Sequence, residues 1–266
     1  MNQKKVLFIL FTTVFLILSF NISSAKDIRI ITPYLGSIRN VYESEEHGLD
    51  LNDSSLLKGL YFQWINPERF QWNVFIYQSS DINYSTLWGG HFIFDYYFGK
   101  RSRGKYVVGT GIEFIGLDMD AGNNIAGPLD FKLLNNIIIP YIRAGRYFLL
   151  GPDTITVTLL PWIGVQPEFV RGKISFNFGG PPKRKDIEDD ALYALAGLNA
   201  KTVIMHFFEV EVKYKATFNR DDYFSTLSAM TNLYLSRHWG ISYRFKFMET
   251  SSGSDTYHIG GVAFLF

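Results

Sequence analysis

The 266-residue sequence contains no cysteine, so it can have neither a disulfide framework nor a lipid-carrying N-terminal cysteine. It also lacks a dominant charge: 26 Lys and Arg stand against 25 Asp and Glu, for a net +1. That balance offers no polybasic surface, and no nucleic-acid partner is expected. Past residue 25 no run of about 18 apolar residues occurs, which excludes a helical membrane bundle. A mean hydropathy of +0.02 agrees.

What the chain does have is aromatic side chains: 24 Phe, 16 Tyr and 5 Trp. It also begins like an export signal. Lys4 and Lys5 precede an apolar run, Val6 to Phe20, and then "NISSA" places Ser23 and Ala25 at cleavage-like spacing. The run is shorter than the roughly 20 residues of a spanning helix, so residues 1–25 are read as a cleaved signal peptide. Residues 26–266 form the mature domain.

From there a two-residue alternation recurs to the end of the chain. In "FFEVEVKYKATF", Phe208, Val210, Val212, Tyr214 and Ala216 fall on one face, and Glu209, Glu211, Lys213 and Lys215 on the other. "FQWNVFIY" and "WGISYRFKF" repeat the pattern. Twelve strands are predicted, near 27–42, 56–65, 70–78, 86–98, 105–117, 130–144, 154–169, 191–204, 207–218, 223–235, 239–249 and 256–266. Tight turns (66–69, 100–104, 205–206, 236–238) alternate with longer polar loops at 43–55, 79–85, 118–129 and 170–190. The apolar connector 145–153 is an exception.

This is the pattern of a closed antiparallel transmembrane β-barrel with short periplasmic turns and longer extracellular loops. Ten or fourteen strands would also fit. Trp64, Trp72 and Trp239 lie beside turns, where an aromatic girdle meets the membrane interface. Four prolines, Pro33, Pro140, Pro161 and Pro167, fall inside predicted strands. Each is expected at a bulge or beyond the membrane, because a closed barrel has no free edge to absorb a missing N–H.

The last strand, "TYHIGGVAFLF", ends on Phe266 with Phe264 and Val262 at alternate positions before it. It resembles the terminal strand of bacterial outer-membrane β-barrel (porin-like) proteins. The resemblance implies residence in the bacterial outer membrane, in contact with its lipid and lipopolysaccharide. It further implies that Val262, Phe264 and Phe266 act as a signal to the outer-membrane assembly machinery, and that this strand closes the barrel on the first.

If the oily faces meet lipid, the opposite faces line the lumen. That set contains His91, Asp95, Glu113, Glu168, Lys201, Glu209, Glu211, Lys213, Lys215, Arg244 and Lys246. The leading expectation is a narrow porin-like channel for small hydrophilic solutes with a mixed-charge lumen. The alternative is a structural or surface-interaction barrel with a plugged lumen and exposed loops 43–55 and 170–190. Interior glycines, among them Gly109, Gly111 and Gly197, would leave room for solute or ease strand bending.

Catalysis is not expected. Outer-membrane lipid hydrolases place a nucleophilic Ser two residues after a His, and none of His47, His91, His206, His238 or His258 has one. His91 and Asp95 share a strand face and could make a base–orienter pair, but no serine lies near them in sequence. "DMDAGNN" at 118–124 starts like a calcium loop but lacks its later ligands. Neither a metal nor a cofactor is expected.

Overall fold

Alternating apolar and polar residues can bury one face of a strand and expose the other, and along this chain every such segment finds a partner. The computed structural model describes residues 27–266 apart from 45–48, 67, 83–84, 100–104, 123–129, 153, 178–181, 221 and 251–252. The segment read as a signal peptide lies outside the described residues. Twelve strands follow in order: β1 (Ile28–Ser44), β2 (Leu49–Asn66), β3 (Phe70–Ile82), β4 (Ser85–Phe98), β5 (Lys105–Gly122), β6 (Asp130–Leu150), β7 (Ile155–Asn177), β8 (Lys183–Ile204), β9 (Phe208–Phe218), β10 (Tyr223–Tyr234), β11 (Trp239–Thr250) and β12 (Gly253–Leu265).

Each strand pairs antiparallel with its neighbours in sequence, and β12 returns to β1 to close the barrel. The seam is finished by the chain's last residue. Phe266 N–H donates to the Arg29 carbonyl at 3.1 Å, and Arg29 N–H donates back to Phe266 at 3.2 Å.

Most of the segments expected to be long loops are strand. β1 and β2 run through much of 43–55, and β7 and β8 continue as a paired hairpin through most of 170–190, from Phe169↔Asp190 up to Phe176↔Lys183. The 79–85 and 118–129 loops shrink in the same way. The β8 extension "KRKDIEDD" has charge at both odd and even positions, so no apolar alternation announced it. The apolar connector 145–153 is also mostly strand, as β6 runs to Leu150.

The prolines meet neither expectation. Between β6 and β7 the pairing stops at Ile138↔Phe169 and resumes at Ile142↔Val165 without a shift, with Pro140 and Pro167 opposed in the gap. Pro161 and Pro33 interrupt their ladders likewise, and register is kept. Toward their other neighbours all four stay paired, as Pro33↔Leu60, Ile112↔Pro140, Pro161↔Leu198 and Pro167↔Leu192. The reason is geometric. In an antiparallel strand a residue's N–H and C=O point to the same neighbour, so a proline removes bonds on one side only.

The tight turns are built by side chains as well as backbone. Asn66 Oδ1 accepts the N–H groups of Glu68 and Arg69 at 3.1 and 3.0 Å. Between β8 and β9, Met205 and His206 both take left-handed conformations, with φ of 47° and 63°.

Outward-facing side chains form an exposed apolar band. Its upper margin passes through Ile138, Phe169 and Leu192, and its lower margin through Leu150, Ile155 and Phe207. Within it Ile142, Ile163 and Leu192 are 60%, 69% and 68% exposed. A continuous belt of this kind is far beyond what a water-soluble surface carries. Trp64, Trp72 and Trp239 lie on the outward face near its lower margin, as do Phe264 and Phe266. Trp64 packs on Trp72 and lies under the Arg29 guanidinium at 4.7 Å.

Candidate functional site: the barrel lumen

Parity places all eleven expected lumen residues on the inward side of their strands. Their surroundings divide the interior into three levels.

At the end of the barrel that carries the 205–206 and 236–238 turns is a cavity of about 670 Å³, reached past His206 and Arg237. Its roof carries charge in adjacent pairs. Lys201 Nζ lies 3.0 Å from Glu209 Oε1, and Lys213 Nζ lies 2.9 Å from Glu211 Oε2. Glu211 is the residue directly across from Lys201, yet Lys201 reaches the diagonal Glu209 instead. Asp95 is held by Arg143 through two bonds, Nε–Oδ1 at 3.0 Å and Nη2–Oδ2 at 2.6 Å. A buried, bidentate pair of this kind fixes both side chains. Asp95 is therefore Arg143's partner, and the base–orienter pair that His91 and Asp95 could have made is not formed.

At mid-height the lumen is spanned. Lys246 on β11 and Glu113 on β5 meet at 3.2 Å. Those strands are six apart in either direction around the twelve-stranded circuit, so the two residues start from opposite walls. His91 faces Glu113 across β4 and β5 and packs on Phe75 with ring centroids 5.8 Å apart. Lys215 lines a smaller cavity of about 160 Å³ at this level.

Beside the crossbar Arg244 is enclosed by rings. Its guanidinium lies 3.4 Å from the Tyr61 centroid and 5.2 Å from that of Tyr34, and its Nε donates to Tyr34 Oη at 2.8 Å. Tyr34 Oη also bonds the Ser242 hydroxyl. These rings belong to a buried cluster of Tyr34, Ile38, Leu57, Tyr61, Phe75 and Ile259 that fills the β12–β3 side of the interior. A second cluster, Val107, Leu160, Trp162 and Leu195, fills the opposite side. Glu168 stands above these levels, toward the opposite mouth, where it pairs with Ala191 on β8.

Sequence reasoning missed Arg143 and the interior rings. The interior glycines explain how the rings fit. A Cβ at Gly111 would lie 2.4 Å from the Tyr141 ring, and one at Gly197 would lie 2.3 Å from Trp162. These glycines make room for side chains from neighbouring strands, a role distinct from both expectations.

No protein-family model matches the sequence, and no curated protein does. Solved structures do match. The translocator domain of autotransporter NalP from Neisseria meningitidis aligns with a TM-score of 0.59 at 10% identity, covering 98% of this chain and 95% of that one. The beta domain of the Bordetella autotransporter Brka aligns at 0.51 and 11% identity, over 90% of this chain and 98% of that one. This is the fold of a bacterial outer-membrane β-barrel. At these identities the likeness is one of fold alone. In outer-membrane barrels an outward apolar band faces lipid, short turns face the periplasm and the longer strand extensions rise on the outside.

Proposed function

We propose that this outer-membrane barrel is closed to through-passage in its resting state, and that the strands rising above the membrane are its working surface. The observation that carries the reading is the Lys246–Glu113 contact. A porin lumen keeps its charges on the walls, with solute space between them. Here the charges of two opposite walls touch, and aromatic side chains fill the space beside them. This favours the plugged alternative over an open channel. Ion conductance across a planar bilayer tests it: the purified, folded protein should give no steps.

A narrow channel gated by the crossbar is the second reading, favoured by the cavity of about 670 Å³ below it. Under that reading the wild type conducts when the pair parts, and solute preference follows the lumen charges. Neither reading assigns chemistry to the chain, and we propose no enzymatic activity. Assembly through Val262, Phe264 and Phe266 and contact with lipopolysaccharide belong to the same proposal. The outward direction of Phe264 and Phe266 and their place in the closing seam support it.

A further inference from the structure

The upper part of β8 has a free edge. Its pairing with β9 ends at Ala194↔Phe218, while its pairing with β7 continues to Lys183. Residues 183–193 thus carry backbone donors and acceptors on the β9 side with no strand against them among the described residues. Leu192 marks the top of the apolar band, so Lys183 to Asp190 stand outside the membrane. They extend about 26 Å along the strand at roughly 3.3 Å per residue.

Exposed edges are commonly blunted by charge, often by lysine. This one is charged in two blocks of opposite sign, Lys183-Arg184-Lys185 and Glu188-Asp189-Asp190, with Asp186 and Ile187 between them. Arg171 on β7 takes Asp190, at 2.5 Å between Nη1 and Oδ1. Glu188 lies directly across from Arg171 and acts on its charge, while no salt bridge is formed by the side chains of Lys183, Arg184, Lys185, Asp186 or Asp189 among the described residues.

We infer that this edge pairs with the same edge of a second copy in a facing membrane. The inference rests on the surface-interaction reading above. Two identical edges joined about a two-fold axis perpendicular to the sheet run antiparallel, and residues that meet must share a face. With Asp186 on the axis, Lys183 meets Asp189 of the other copy and Arg184 meets Glu188. Symmetry doubles both pairs, giving one ladder of opposite charges on each face of the joined sheet. The like-charged Asp186 pair on the axis opposes them.

Copies in one membrane insert in the same direction, so their β8 edges would run parallel and bring like blocks together. Only copies anchored in opposing membranes can meet antiparallel. The fitting partner is therefore the same protein on another cell or vesicle, and the activity is self-adhesion.

The test uses proteoliposomes of the folded barrel, followed by light scattering. Wild-type vesicles should cluster, and should disperse in 1 M salt, where the screening length is about 3 Å. The variants K183E/R184E/K185E and E188K/D189K should each fail to cluster alone. Mixed together they should cluster again, because every pair is then restored between unlike vesicles. Heat-modifiable mobility checks that each variant is folded. Wild-type vesicles that stay dispersed, or a mixture no stickier than its components, would overturn the inference and leave the charges as edge protection. Conductance of the same vesicles separates this result from the closed-lumen reading, since a silent barrel that does not cluster loses only the self-pairing.

Discussion

Lys246 Nζ and Glu113 Oε1 are 3.2 Å apart although their strands stand on opposite sides of the barrel. The pair is largely buried, at 18% and 16% side-chain exposure. Taking one member away leaves the other charged without its partner in a poorly hydrated space. For fully buried pairs that loss costs about 3–5 kcal/mol, and partial exposure lowers it here. Lys246→Met and Glu113→Gln should each destabilise the barrel in urea, and the double variant should lose less than the sum. Additive losses would show that the contact contributes nothing.

Arg244 is matched to its rings by shape as well as charge. Arg244→Lys keeps the charge but loses the flat guanidinium on Tyr61 and the aligned bond to Tyr34. A loss of about 1–2 kcal/mol is expected, read from the denaturation midpoint. A variant as stable as the wild type would mean that the stacking is incidental.

Gly109 sits against the Arg143–Asp95 pair. A Cβ there would lie 2.2 Å from Asp95 Oδ1, which Arg143 holds in place. Gly109→Ala should therefore displace the pair and lower the unfolding temperature, whereas Gly260→Ala, at an open outward site, should not. Equal effects at the two positions would contradict this account of the roof.

Met205 and His206 carry side chains through a left-handed turn at a cost of about 1–2 kcal/mol each. His206→Gly should relieve part of that cost and raise stability. A destabilised variant would mean that the imidazole contributes more than its backbone costs.

The barrel was legible from alternation because a lipid-facing surface forces period two on the membrane part of each strand. "FFEVEVKYKATF" needed nothing else. Legibility failed in two physical situations. Above the membrane both faces of a strand are wet, so "KRKDIEDD" has no apolar phase and reads as a loop. Inside the barrel both faces can be apolar, as on β6, where Ile138 and Ile142 face lipid while Ile139 and Tyr141 face the lumen. That double coverage hid Arg143. Parity identified which charges point inward, but it carries no information on how far across the lumen they reach. The Lys246–Glu113 contact belongs to the closed barrel and has no local signature in either segment.

Pro140 and Pro167 show the same limit. Each reads as a strand breaker, yet the two prolines face each other in an unshifted ladder. Replacing both with Ala should restore the missing donors at 140 and 167 and slow amide exchange at the flanking residues 139, 141, 166 and 168. Unchanged exchange would show that the seam stays open for another reason.

Planar-bilayer conductance tests the central claim most directly. The wild-type barrel should be silent, and the Glu113→Ala/Lys246→Ala double variant, with the crossbar removed, should give discrete ion steps. Regular steps from the wild type that persist unchanged in the double variant would contradict it.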